Sequence, residues 1–411
     1  MSDYIRLKTR ILGLFLLQVL AVCVLFSCGR KTQQNASDNT TGNAPVSLPR
    51  ICLKTETGIP WDKRCPCVLV EKMNGDSVAL NGKIKCRGGT SSKFEKYSYS
   101  LKLSDAYSLC GLPACKTWVL NASYIDKTFM RHKLCFDLFR MMDERNMAAQ
   151  CAYAMLQLNQ EPRGLYVVMQ RLNEHVLALD KQDTNALIFK EPKLFYENLP
   201  PREPDQDNYH GQKYPDYDVY GDKSAVLDDF RQFILHSSDE EFAEGIGKWI
   251  DMRNVVDWHL LVLLANSGEN IAKNLYLYKK DTETPFRVAL WDCDHSFGRD
   301  GDNEMNLLER PARIQKNILL DRLSKNPEYQ HAMAERYASL RKSGIFSYEN
   351  IKKMVQENDQ YVRLGIEENA SIWPYDGKYY YDSNNYEEEV ELLLKFVPLS
   401  LQRLDEMFDY R

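Results

Sequence analysis

Two aspartates one residue apart, Asp292 and Asp294, lie in the segment LWDCDHSFG, behind the strand-like run FRVAL and ahead of Gly298, which breaks the pattern. On a continuing extended strand both carboxylates point to the same side, separated by about 6 to 7 Å of rise, so they can share one metal ion. Carboxylate oxygens suit hard divalent cations such as Mg2+ or Mn2+, although an isolated D-x-D also binds Ca2+ or merely closes a turn. Upstream, Glu269 stands five positions before Asn274 in NSGENIAKN. The strand NLYLYKK, the turn DTETP and the strand FRVALW then lead from that pair to the aspartates. An acid, an amide and two further acids arranged round a hairpin can hold metal-bound phosphates and orient a hydroxyl.

In protein kinases a catalytic-loop Asp precedes an Asn by five residues, and a metal-binding Asp follows after a short hairpin, just before a Gly. The bland alternatives for the neighbours are read alongside: His295 as a turn or packing histidine, Cys293 as a packed thiol, and Asp126 with Arg131 as a cap or surface pair of a helix.

Such a site needs elements to carry it. The first half is strand-rich: CVLVEKM, GKIKCRG, YSYSLKL and TWVLNASY are β-branched and aromatic runs separated by NGD, NG and GLP turns. In YSYSLKL, alternation puts Tyr97, Tyr99, Leu101 and Leu103 on one face and Lys96, Ser98, Ser100 and Lys102 on a cationic other face. A helix is predicted over 126–145, behind Asp126 as N-cap, and a hairpin follows across QEPRG. Residues 196–223, rich in Pro, Asp, Tyr and Gly, read as a long irregular insertion. The second half is mostly helical, with helices predicted over 225–236, 240–250, 254–265, 327–342, 348–368 and 386–409. The aromatic stretch WPYDGKYYYDSNNY invites carbohydrate stacking, with a packed surface loop as its plainer reading.

A formal charge of −5, without a basic block, argues against nucleic acid as a partner. At the N-terminus, Arg6, Lys8 and Arg10 precede the apolar run ILGLFLLQVLAVCVLF, which ends at LFSC. That pattern predicts a secretory leader over 1–28 with a bacterial lipobox, Cys28 being the lipid-attachment residue, then a flexible polar tether over 29–49. A membrane-spanning anchor is the alternative, but the run is short for a bilayer core. The bulk is then extracytoplasmic, fixed to a bacterial membrane of the cell envelope. Removing Cys23 and acylating Cys28 leaves nine of the eleven cysteines, and a disulfide is expected among Cys52, Cys65, Cys67, Cys86, Cys110 and Cys115 with its connectivity open.

Six stretches in order resemble the spore coat protein H (CotH) kinase family of atypical protein kinases: KCRGGTSSKFEKYSYSLKL, WVLNASYIDKTFMRHKLCFDLFR, QEPRGLYVVMQRL, ALIFK, NIAKNLYLYK and VALWDCDHSFG. The resemblance implies a kinase-like, two-lobed α+β fold over 50–411, strand-rich first and helical second. It implies ATP with Mg2+ or Mn2+ as cofactors and transfer of the γ-phosphate to Ser or Thr of a protein acceptor. By position, Asn274, Asp292 and Asp294 correspond to the metal-binding set, Lys96, Lys102 and Arg87 to phosphate-binding cations, and Glu269 to the catalytic base. The chain departs from the family pattern twice, with Glu269 where Asp is usual and Gln170 where Glu is usual. These departures keep two other functions open: nucleotide or metal binding without transfer, and a non-catalytic structural or glycan-binding lipoprotein.

Overall fold

The computed structural model describes residues 47–200, 207–299, 316–375 and 382–411. The predicted leader over 1–28, with Cys28, lies outside these residues, as does the predicted tether except for its last three positions. Leu48 is already buried and the Pro49 carbonyl accepts the Met155 N–H at 2.9 Å, so ordered packing begins ahead of residue 50.

Strands β1 (Arg50–Lys54), β2 (Cys65–Met73), β3 (Asp76–Arg87), β4 (Ser98–Tyr107) and β5 (Cys115–Asn121) are followed by helix α1 (Arg131–Met142). Next come the two-residue strand β6 (Met147–Ala148) and the hairpin strands β7 (Cys151–Leu158) and β8 (Glu161–Gln170). The hairpin turns are chemically specified: Asn74 and Gly75 take positive φ between β2 and β3, as tight hairpins require.

The predicted strand-rich lobe is thus present, with one correction. It is a closed barrel of order β1-β2-β3-β4-β5-β8-β7, sealed by the parallel pairing of Arg50 opposite Met155. Closure removes the open edges a lobe sheet would have, and Leu69, Ile84, Leu101, Trp118 and Val168 fill its interior.

The second sheet holds β9 (Leu187–Lys190), β10 (Gln212–Tyr214), β11 (Leu275–Lys279) and β12 (Arg287–Leu290) in the order β10-β9-β11-β12-β6. Strand β10 lies within the segment expected to be irregular, paired to β9 through Gln212 and Phe189.

Around this sheet pack α2 (Ala225–His236), α3 (Asp239–Trp249), α4 (Met252–Ala265), α5 (Ile318–Leu323), α6 (Pro327–Lys342), α7 (Tyr348–Val362), α8 (Ile366–Ile372) and α9 (Tyr386–Met407). Helix α4 is buried almost all round, as its apolar sequence requires. The helix predicted over 348–368 is instead α7 and α8, divided at Gly365. A Cβ there would meet Met155 Sδ at 2.5 Å, so the chain turns against the barrel wall. None of these helices is long and apolar enough to cross a membrane.

The expected disulfide is not formed: Cys52, Cys65, Cys67, Cys86, Cys110 and Cys115 are free thiols. Their side chains engage separate partners, Cys52 with Gln157 Oε1 at 3.3 Å, Cys86 with the Ile59 carbonyl at 3.4 Å and Cys115 with the Thr117 carbonyl at 3.2 Å. Of the aromatic stretch, residues 376–381 lie outside the description. Trp373 packs on Arg163 and donates to its carbonyl at 3.0 Å.

Candidate active site

The acidic loop hangs from the end of β12, and nearly every residue of it is fastened. Trp291 N–H donates to the Asn274 carbonyl at 3.2 Å, and its own carbonyl accepts from Asn270 Nδ2 at 2.9 Å. The Cys293 amide donates to His132 Nδ1 at 2.9 Å, and the Ser296 hydroxyl to the Cys293 carbonyl at 2.7 Å. Arg131 Nε holds the Ser296 carbonyl at 2.9 Å, and the Phe297 amide donates to Ala265 at the C-terminus of α4 at 2.7 Å. Gly298 has φ +87, and a Cβ there would crowd Leu392 and Phe396 of α9 at 3.2 Å, which explains the glycine.

Asp292 is therefore not an extended-strand residue. Its φ is +55, a left-handed conformation that a residue with a short polar side chain tolerates better than most. The two aspartates are brought together by this turn rather than by strand alternation. Ligand atoms of Asp292, Asp294 and His132 all lie within 4.8 Å of one another.

The electrostatics fit a cation. Burial acts first to raise Asp292, but the charges of His132, Arg87, Lys190 and His295 outweigh it and leave the carboxyl below its usual range. Asp294 is raised, first by burial and then by the negative charge of Asp292. A divalent ion between them replaces that repulsion with attraction, and two carboxylates are the hard oxygen donors Mg2+ or Mn2+ prefer.

His132 fits a different role. Both its ring nitrogens are engaged by the protein: Nδ1 accepts the Cys293 amide at 2.9 Å, and Nε2 lies 3.0 Å from Asn121 Nδ2 and 3.8 Å from Asp292 Oδ1. A metal-bound histidine has the opposite arrangement, with its second nitrogen donating. The residues that would hold the ion are Asp292 and Asp294.

Glu269 and Asn274 meet as their spacing predicts, with Asn274 Nδ2 donating to Glu269 Oε2 at 3.0 Å. Asn274 also adopts a left-handed φ of +58. Glu269 Oε1 pairs with Lys273 at 2.5 Å, and His295 Nδ1 stands 3.6 Å from Oε2. His295 thus connects the acid to the aspartate loop, a placement beyond the packing role read from sequence.

Of the three expected phosphate-binding cations, one is at the aspartates. The Arg87 guanidinium lies 5.5 Å over the Trp291 ring, and its charge acts on Asp292. Lys96 is elsewhere: it is 1% exposed, its Nζ bonding the Ala122 carbonyl at 2.9 Å, Asn369 Oδ1 at 2.8 Å and the Leu165 carbonyl. It precedes the first residue of β4, so strand alternation does not govern it, and burial depresses its pKa strongly. Lys102 does lie on β4, exposed opposite Lys83 and Thr117 on the outside of the barrel. Gln170 bonds the Pro113 carbonyl and the Gln150 amide.

Residues 84–404 match the family described as CotH kinase protein. The chain belongs to that family. Among curated relatives, it is 23% identical over 272 residues to the inner spore coat protein H of Bacillus subtilis (strain 168), which covers 66% of this chain and 73% of that protein. Among solved structures, it is similar to the Helicobacter pylori proinflammatory kinase CtkA, with 9% identity, coverage of 78% of this chain and 97% of that one, and a TM-score of 0.34.

Proposed function

We propose that the site around the loop after β12 binds ATP with Mg2+ or Mn2+ and that the protein transfers the γ-phosphoryl group to a Ser or Thr hydroxyl of a protein acceptor. The observation carrying this reading is the pair of carboxylates, Asp292 and Asp294, whose oxygens lie within 4.8 Å of each other, beside the Glu269–Asn274 pair in a member of the CotH kinase family. Bound there, the ion supplies charge neutralisation for the phosphates. Asp292 and Asp294 supply its oxygen ligands, Arg87 adds positive charge beside them, and Glu269 accepts or orients the acceptor hydroxyl. The basic, apolar leader ending at Cys28 supports an extracytoplasmic lipoprotein tethered to the cell envelope.

Incubating the chain with γ-labelled ATP and Mn2+ or Mg2+ tests this. Label appears on an acceptor or on the chain itself, and Asp292→Asn lowers transfer by at least about a hundredfold while the protein stays folded. Equal transfer by that variant would remove the metal assignment. A second reading, nucleotide binding without transfer, is favoured by one observation: both Glu269 oxygens already have partners, Lys273 and Asn274. Glu269→Gln separates the two, cutting transfer about tenfold or more with nucleotide affinity unchanged if the acid acts on the hydroxyl.

A further inference from the structure

The outer wall of the barrel carries a charge pattern that the aspartate site does not use. Across the strands, Lys54 of β1 lies opposite Val68, and Val68 opposite Asn81. In the neighbouring row, Pro66 lies opposite Lys83, Lys83 opposite Lys102 and Lys102 opposite Thr117. Directly opposed residues share a face, and the two rows are two residues apart along β2 and β3, so all of these side chains stand on one outward surface. The side chains of Lys54, Lys83 and Lys102 are exposed and form no hydrogen bond or ion pair among the described residues. Lys116 joins them at the β5 end, its Nζ donating to the Ser104 carbonyl at 2.9 Å.

This surface is concave. Lys54, Lys83, Lys102 and Lys116 line a groove of about 730 Å3 together with Pro66 and Val68. Among the described residues lining it, Glu56 is the one acid, and Asp105 stands 4.0 Å from Lys116 beyond the lining. The chain as a whole is negative, at −5, so this positive charge is a local concentration. Like charges directly opposite one another destabilise a sheet, and an anion between Lys83 and Lys102 relieves that repulsion.

The groove also indicates the shape and charge of its occupant. From β1 to β5 it crosses four inter-strand spacings, about 19 Å, which about six residues of extended chain span. Its cations are lysines, point charges without the guanidinium fork that pairs two phosphate oxygens, and the N–H groups of β2, β3 and β4 are engaged with neighbouring strands on both sides. Separate point charges suit separate carboxylates. A concave groove admits a chain rather than the plane of a bilayer.

We propose that this groove binds an extended, Asp- or Glu-rich segment of a partner protein, with its carboxylates on Lys54, Lys83, Lys102 and Lys116. Under the phosphoryl-transfer reading the partner is the acceptor, held by a segment remote from the reacting hydroxyl. That role rests on the reading; the binding does not.

Fluorescence anisotropy of the full chain with a labelled hexaglutamate peptide, in about 50 mM salt to limit screening, tests the groove. The peptide binds, and Lys83→Gln combined with Lys102→Gln weakens it by about tenfold or more. Lys352→Gln combined with Lys353→Gln removes the same charge from exposed positions of α7 and leaves the affinity at the parent value. The groove variant melts at or above the parent temperature, since an opposed like-charge pair is gone. No binding by the parent, or equal weakening in the two double variants, overturns the proposal. Tighter binding of a hexapeptide carrying three phosphoserines, of about the same charge, overturns the carboxylate assignment. Binding to phosphatidylglycerol vesicles that the groove variant loses while it keeps hexaglutamate overturns it in favour of a membrane. If the peptide occupies the groove while labelled phosphate is never transferred, the kinase reading fails alone. If phosphate is transferred and the groove variant binds the peptide like the parent, the groove fails alone.

Discussion

Lys96 shows how far a residue's chemistry can be read from spacing. Its charge and its position just ahead of YSYSLKL suggested a phosphate ligand, yet the side chain enters a buried pocket of three oxygens, over the faces of Phe129 at 4.8 Å and Tyr166 at 4.5 Å. The alternation rule failed because it was extended two residues ahead of the strand. Lys96→Met takes a donor from three buried acceptors, of which Asn369 Oδ1 keeps the Leu165 amide, so it destabilises the fold by about 2 to 4 kcal/mol in denaturant titration. The variant keeps parental Mg2+-ATP affinity at a temperature where it is folded. Lost affinity at unchanged stability would return Lys96 to the phosphate site. By contrast, Asp292, Asp294, Glu269 and Asn274 were legible, because a hairpin with short turns fixes which residues meet at its base. His132 was not, since it reaches the loop from α1 through the Cys293 amide, and single-residue spacing carries no such signal.

At the scale of elements, the segment leading into α1 determines where the acidic loop lies. The helix was expected from Asp126 but begins at Arg131, because the Asp126 carboxylate instead accepts the Thr128 and Arg131 amides. Arg131, read as a surface pair, is 1% exposed and bridges Asp126 at 2.6 Å, the Ser296 carbonyl and Glu389 of α9 at 3.4 Å. Arg299 and Asn384 also bond Glu389, and Lys127 bonds Asp382 at 3.0 Å, so a buried ionic network clamps the loop between α1 and α9.

Removing one member leaves opposite charges buried and unpaired. Arg131→Gln therefore costs about 3 to 5 kcal/mol of folding stability, measured by chemical denaturation. Arg131→Lys keeps the charge but not the planar reach to Ser296 and Asp126 together. It lowers Mn2+ affinity about tenfold, as loss of an outer-shell contact usually does. Affinity equal to the parent in a folded Arg131→Lys protein would confine the network to a structural role.

For the molecule as a whole, local patterns predicted the strand-rich and helical halves, and two helices match residue for residue, Ala225–His236 and Pro327–Lys342. Barrel closure was not legible, because β1 pairs in parallel with β7 across a long sequence separation and hydrophobic alternation does not name partners. The barrel wall, the second sheet and α4 converge on the loop after β12, and phosphoryl transfer requires that this loop hold a divalent ion.

Direct Mn2+ titration of the full chain, followed by electron paramagnetic resonance, decides it. One saturable site is expected, and it is lost in Asp292→Asn and in Asp294→Asn. Because Asp294 is held above its ordinary range, its proton stabilises the metal-free fold at low pH, and that contribution is lost as pH rises through its raised value. The ion competes with the same proton, so Mn2+ affinity increases as pH rises from about 4 toward neutrality. Mn2+ binding unchanged by both substitutions, or absent from the parent chain at neutral pH with ATP present, would contradict a metal site at Asp292 and Asp294.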